Sequence, residues 1–147
     1  MNRMMKTLAV AGCLAMAPLV AMAEGMMHKL AIHVDQNDPQ VMNMALNNAA
    51  NVASYYAAQG DQVTIEVVAY GPGLNMYVPG KSPVADRISA MALEHEHLTF
   101  AACGNTLKAM SKKAGKDIEL MSEAKVVPSG VVRLMELQGE GYAYVRP

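Results

Sequence analysis

Tryptophan is missing and phenylalanine occurs once in 147 residues, so the chain has no set of aromatic platforms on which nucleic-acid bases could stack. A basic excess is missing too: 12 lysines and arginines stand against 13 aspartates and glutamates. Without a basic stripe, nucleic acid is excluded as the expected partner. Nucleotide signatures are absent. Gly71-Pro72-Gly73 lacks the third glycine and the immediate helix of a dinucleotide loop, and no phosphate loop with its lysine occurs. There is no serine-hydrolase elbow. No cofactor is expected.

Cysteine is almost absent, with two in the chain. Arg3 and Lys6 open the sequence, Thr7 to Val20 is apolar, and Ala21-Met22-Ala23 has the small-x-small form of a cleavage site. This pattern predicts a secretory signal peptide over residues 1–23, cut before Glu24, with residues 24–147 forming one periplasmic domain. No later run approaches membrane-spanning length, so no membrane attachment is expected after cleavage. Val10-Ala11-Gly12-Cys13 has the look of a lipobox, but few apolar residues precede Cys13 and apolar sequence continues after it. Lipoprotein anchoring through Cys13 is therefore not expected. Cys103 is then the one thiol left, in a compartment where thiols normally pair. It has three options: a buried inert thiol, a bond to another chain, or a reactive sulfur.

Leu30 to Val34 reads as a first strand. Asp38 caps the following helix with Pro39 at its first position, and Val41, Met44, Ala45, Asn48, Val52 and Tyr55 give its apolar stripe up to Gly60. Val63 to Tyr70 is a β-branched second strand, which makes a βαβ unit with a parallel sheet. Gly71 to Gly80 reads as a loop whose apolar tip (Leu74, Met76, Tyr77, Val78) either folds over the core or a subunit neighbour, or serves as a lid or docking surface. Ser82 and Pro83 start a helix with Val84, Ile88, Met91 and Ala92 inward. His97 to Ala102 is a third strand, Asn105 to Ala114 a helix ended by Gly115, and Lys125 to Val127 a fourth strand. Ser129 caps a helix through Val131, Leu134, Met135 and Leu137, and Tyr142 to Val145 closes the chain as a strand. This alternation predicts a three-layer α/β/α sandwich with a mainly parallel sheet of about five strands.

Ligands in such sheets bind beyond the carboxyl ends of the strands. Four turns fall on that edge: Asp35 to Asp38, Gly71 to Leu74, Cys103 to Asn105, and Pro128 to Gly130. Cys103 thus stands where a strand hands over to a helix N-terminus, which favours a thiolate over a thiol. The N–H groups of Gly104 and Asn105 are the expected donors to it. His33 reads as a half-buried histidine or a proton carrier near the strand edge. Glu94-His95-Glu96-His97 straddles a helix end and a strand start and reads as a solvated connection, since i, i+2 spacing aligns two histidines only in a strand. Of the 14 methionines, Met26 and Met27 beside His28 form the one local cluster, and the others fall largely on helix faces as core filling. No metal site is expected.

Several segments together resemble the DsrE/DsrF-like sulfur-relay family: His33-Val34-Asp35-Gln36-Asn37-Asp38-Pro39, the asparagine-rich helix from Ala45 to Asn51, Gly71-Pro72-Gly73-Leu74, Phe100 to Thr106, Val127 to Val131, and Gly141-Tyr142-Ala143-Tyr144. The resemblance implies an α/β/α sandwich assembled as a homo-oligomer, a trimer or hexamer, with Cys103 accepting sulfane sulfur as a persulfide and passing it on. The expected function is a periplasmic sulfur carrier, with a sulfane-sulfur donor and acceptor, small molecule or protein, as partners. Gly71 to Val78, with Gly71, Gly73 and Leu74 at the strand edge, would shield the persulfide or form the partner surface, and Ser129 stands at the same edge. The alternative is a non-catalytic oligomeric module, binding a small anion or metal at that edge or serving assembly alone.

Overall fold

The computed structural model describes residues 25–147, so the expected signal peptide, its cleavage site and Cys13 lie outside the described residues. Five strands and four α-helices alternate: β1 Met27–Val34, α1 Pro39–Ala57, β2 Gln62–Ala69, a 3₁₀ segment Gly71–Tyr77, α2 Ala85–Glu94, β3 Leu98–Cys103, α3 Gly104–Ala114, β4 Ala124–Val127, α4 Gly130–Gly139 and β5 Ala143–Val145. The strand order is β4-β3-β2-β1-β5, and every neighbouring pair is parallel.

This order explains the layering. The connections from β1 to β2, β2 to β3 and β3 to β4 all step in one direction, so right-handed crossovers put α1, α2 and α3 on the same face. The connection from β4 to β5 returns across the whole sheet, which sends α4 to the opposite face. Alternate residues of β1 serve the two sides. Leu30, Ile32 and Val34 join Met42, Leu46, Tyr77, Ile88 and Phe100 in the larger core. Ala31 joins Val68, Ala101, Leu134 and Leu137 in a smaller core beneath α4.

Asp38 caps α1 as expected, its carboxylate accepting from the Gln40 N–H at 2.7 Å with Pro39 in the first turn. The buried stripe differs from the expected one: it is Met42, Ala45, Leu46 and Ala49, while Met44 and Tyr55 are exposed. Apolar residues nearly encircle this helix, so periodicity did not select a face; packing chose the one carrying Ala45 and Ala49, which lets the helix lie close to the sheet. On α4, Leu134 and Leu137 are buried, but Val131 and Met135 point away from the sheet. Among the described residues nothing covers that outer side.

The Gly71 to Gly80 segment is neither lid nor docking surface. Leu74, Met76 and Tyr77 are fully buried, and the Tyr77 hydroxyl donates to the Val67 carbonyl at 2.7 Å. The apolar tip fills the core beside β2 and β3, since burying four apolar side chains outweighs leaving them in water.

Candidate functional site

Cys103 is both the last residue of β3 and the N-cap of α3. Its thiol is free and 5% exposed. The Thr106 N–H, in the first turn of α3, donates to Sγ at 3.5 Å. The Thr106 hydroxyl favours the charged form of the sulfur, and its oxygen accepts the Gly71 N–H at 2.9 Å. With its acceptor side occupied by Gly71, the hydroxyl is oriented to donate toward Sγ. Gly71 has φ +54°, in the left-handed region, so glycine suits the turn that aims this N–H.

A second helix begins at the same sulfur. The N–H of Gly130, the first residue of α4, is directed at Cys103. A Cβ on Gly130 would lie 3.1 Å from the Cys103 Cβ and 3.0 Å from the Tyr70 Cβ. Glycine lets the first turn of α4 come this close without displacing Cys103 or Tyr70. Cys103 therefore stands at the positive ends of two helix dipoles. Burial alone pushes the thiol up, but the Thr106 hydroxyl and the N–H groups of Gly130, Thr106 and Asn105 outweigh it and hold it below the usual thiol value. The thiolate, the nucleophilic form, is favoured in a nearly closed site.

A sequence model of the DsrE/DsrF-like family matches residues 28–147. The chain belongs to the DsrE/DsrF-like family. Among solved structures, the protein of unknown function MTH1491 from Methanobacterium thermoautotrophicum is similar, with 32% identity, TM-score 0.69, and coverage of 82% of this chain and 99% of that one. No curated protein matches at a significant level. The DsrE/DsrF-like assignment places the chain in a family associated with sulfur relay in general.

The remaining expected site residues of this DsrE/DsrF-like protein divide into two groups. Gly104 packs on β4, where a Cβ would meet the Val127 carbonyl oxygen at 3.0 Å, and the N–H groups that favour the thiolate are those of Gly130, Thr106 and Asn105. Gly73 is also a packing position, since a Cβ there would stand 2.3 Å from the Val34 carbonyl oxygen. Leu74 belongs to the core. Ser129 is the N-cap residue of α4 but its side chain makes no capping bond. It lines a cavity of about 370 Å³ with Lys125, Val127 and Arg133 on the α4 face of the sheet.

His33, in contrast, lies on the same sheet face as Cys103 and is buried rather than half-buried. Its Nδ1 is 2.7 Å from the Tyr144 hydroxyl, and its ring lies 4.5 Å from that of Tyr70. Desolvation holds its pKa below the usual imidazole value; Asp35 opposes this and Arg146 adds to it. Thr106, Gly130, Tyr70 and Arg146 were not singled out by sequence reasoning. Only Thr106 left a local signal, as an N3 side chain three residues after the N-cap cysteine.

Two of the three remaining histidines have other attachments. His28 bonds Asp61 at 3.0 Å and stacks on Tyr56 at 3.6 Å, while His97 makes an exposed contact with Glu96 at 3.5 Å. Among the described residues, no group of three or more histidine, cysteine, aspartate or glutamate side chains could hold a metal ion. No described helix is long and apolar enough to cross a membrane.

Proposed function

We propose that this DsrE/DsrF-like protein is an exported, periplasmic sulfur carrier that takes up sulfane sulfur on Cys103 and passes it to an acceptor thiol. The observation that carries the reading is the position of a lone thiol at the starts of α3 and α4, held below the usual thiol value despite its burial. The Cys103 thiolate attacks the outer sulfur of a sulfane donor. With thiosulfate the donor's S–S bond breaks and sulfite leaves with the bonding electron pair, so the charge of thiolate and donor is retained in persulfide and sulfite. The N–H groups of Asn105, Thr106 and Gly130 stabilise the anion. Export rests on the signal-like N-terminus. With no second cysteine beyond residue 23, the persulfide has no resolving thiol within the domain, which suits a carrier better than a dithiol oxidoreductase.

Intact mass after incubation with thiosulfate or polysulfide tests this. The protein is expected to gain the mass of a sulfur atom, lost again on reduction and absent from Cys103→Ser. No gain in either protein, together with a thiol that resists alkylation until unfolding, would replace the carrier with the binding or assembly module.

The carrier is also proposed to act as a homo-oligomer. Val131, Val132 and Met135 on the outer side of α4 are 53%, 47% and 67% exposed, a clustered apolar surface of the kind that marks contacts. Light scattering is expected to give a trimer or hexamer, reduced to smaller species by Met135→Glu; a monomeric wild type would remove this part of the reading.

A further inference from the structure

A row of polar side chains extends from Cys103 across the carboxyl edge of the sheet, on the face that α4 covers. Ala69 pairs with Ala102, so Tyr70 and Cys103 follow side by side on β2 and β3. The Tyr70 side chain shares its contact on Gly130 with the Cys103 Cβ. Against Tyr70 lies His33 of β1, and against His33 lies Tyr144 of β5. Ala31 pairs with Tyr144, which brings the next pair on this face, His33 and Arg146, level with one another. Arg146 is anchored to Asp35 through Nε and Nη2 at 2.8–3.2 Å, and among the described residues its Nη1 makes no such bond.

One atom in this row is out of place. His33 is 4% exposed, yet its Nε2 has no hydrogen-bond partner. A buried polar atom left unpaired costs about 1–3 kcal/mol, and such orphans call for a functional explanation. The ring also has a defined use for that atom. When the Tyr144 hydroxyl donates to Nδ1, the single proton of the neutral imidazole resides on Nε2 and makes it a donor.

We propose that His33 and Arg146 form the recognition half of the sulfur site, binding the oxyanion end of a donor whose sulfane end meets Cys103. The donor class is a sulfane-sulfur compound terminating in a sulfonate, with thiosulfate its simplest member. This rests on the carrier reading and narrows its donor. Neighbouring strands lie about 4.8 Å apart, so β3 and β1 are separated by roughly 10 Å, and the inward-facing side chains of Cys103 and His33 approach the two ends of a short, elongated anion. Tyr70 is half-buried between them, so the anion is admitted only if its side chain moves outward. As the thiolate forms its bond to the outer sulfur, the donor's S–S bond breaks and the electron pair moves onto the departing sulfite. The Nε2–H of His33 and the Nη1 hydrogens of Arg146 meet the charge that develops on those oxygens. Asp35 fixes the guanidinium. A polysulfide chain ends in a diffuse sulfur anion and carries no oxygen acceptors, so it draws much less from these two donors than a sulfonate does.

The two donor types separate the possibilities. Timed intact-mass measurements would compare persulfide formation from thiosulfate and from inorganic polysulfide in the wild type, His33→Phe and Arg146→Met. His33→Phe keeps a ring against Tyr70, and Arg146 is about half exposed, so its replacement leaves the core untouched. Each variant is expected to load from thiosulfate roughly tenfold more slowly or worse, with loading from polysulfide slowed by much less. Equal slowing with both donors, no slowing with either, or a wild type that loads from polysulfide but not from thiosulfate would each overturn the assignment and leave the carrier reading standing. A wild type that loads from neither donor removes the carrier reading, and this proposal with it.

Discussion

Alanine at position 66 is expected to lower the unfolding free energy by about 3–5 kcal/mol, the usual effect of removing one partner from a buried ion pair. Glu66 lies in the middle of β2 on the face covered by α4, with its side chain 11% exposed. Both of its oxygens are taken by Arg133, Nε on Oε1 at 2.7 Å and Nη2 on Oε2 at 2.7 Å. This two-point geometry is the strong form of the interaction. Glu136 and Glu140 reach the same guanidinium at 3.5 and 3.6 Å, but each is more than half exposed and compensates weakly. The loss therefore falls toward the lower end of the range, still a large part of the 5–15 kcal/mol typical of a whole domain. Urea denaturation monitored by circular dichroism measures it directly. The double variant Glu66→Leu with Arg133→Leu is expected to recover most of the stability, because an apolar pair leaves no buried charge behind. A loss below about 1 kcal/mol in Glu66→Ala would show that the pair behaves as an exposed one. The consequence reaches the sulfur site, since Arg133 and Gly130 share α4, and a loosened α4 withdraws an N–H from Cys103.

The parts of the fold legible in the sequence are those fixed by near neighbours. The start of α1 depends on Asp38 and Pro39 alone, and the end of α3 on Gly115 with φ +66°; both signals are local and both ends lie where they point. The face of α1 is set by the sheet it packs on, and a helix apolar nearly all round does not announce it. Strand order was equally hidden. β5 pairs with β1, Leu30 opposite Ala143, across most of the chain, and no local pattern encodes that partnership. β1 begins at Met27 rather than Leu30 because Met27 pairs with Gln62, while the Met26 N–H donates to Asp61 at 2.8 Å. Apolar character marks where a strand is buried, not where its ladder starts.

The site divides along the same line. Cys103 at a strand-to-helix junction is a local feature, and of the two α3 residues that donate to it the sequence names Asn105 but not Thr106. Gly104, the other expected donor, is a position of close packing against β4. The donor from α4 required knowing that β4 lies beside β3, Val127 opposite Cys103, so that the chain three residues later returns over the sulfur. Tyr70, His33 and Arg146 form a row only once β2, β1 and β5 stand in that order. A loop of apolar residues suggested a cover for the site; the actual cover is Tyr70 and the first turn of α4, while the loop is core.

Replacing Thr106 by valine is expected to slow alkylation of Cys103 at neutral pH roughly tenfold, the effect of losing a hydrogen bond to a charged group. Burial opposes the thiolate here and the hydrogen bonds favour it, the Thr106 hydroxyl most among them. The net direction is therefore sensitive to losing that one group. Alkylation follows the thiolate fraction, so the wild-type rate should reach half of its plateau at a pH below that of an ordinary cysteine, and Thr106→Val should move this midpoint upward. Because the thiol is nearly closed off, the absolute rate also contains the opening of the site. The midpoint does not, provided the opening itself is independent of pH, which makes it the quantity to compare. Thr106→Ser keeps the hydroxyl and should keep the midpoint. Gly130→Ala should shift it in the same direction as valine by a different route, since its Cβ would press on Cys103 and Tyr70 and move the Gly130 N–H off the sulfur. A midpoint unchanged in both Thr106→Val and Gly130→Ala would mean that neither the Thr106 hydroxyl nor the start of α4 tunes the thiol. The thiolate would then rest on the N–H groups of Thr106 and Asn105 at the start of α3, with burial working against it.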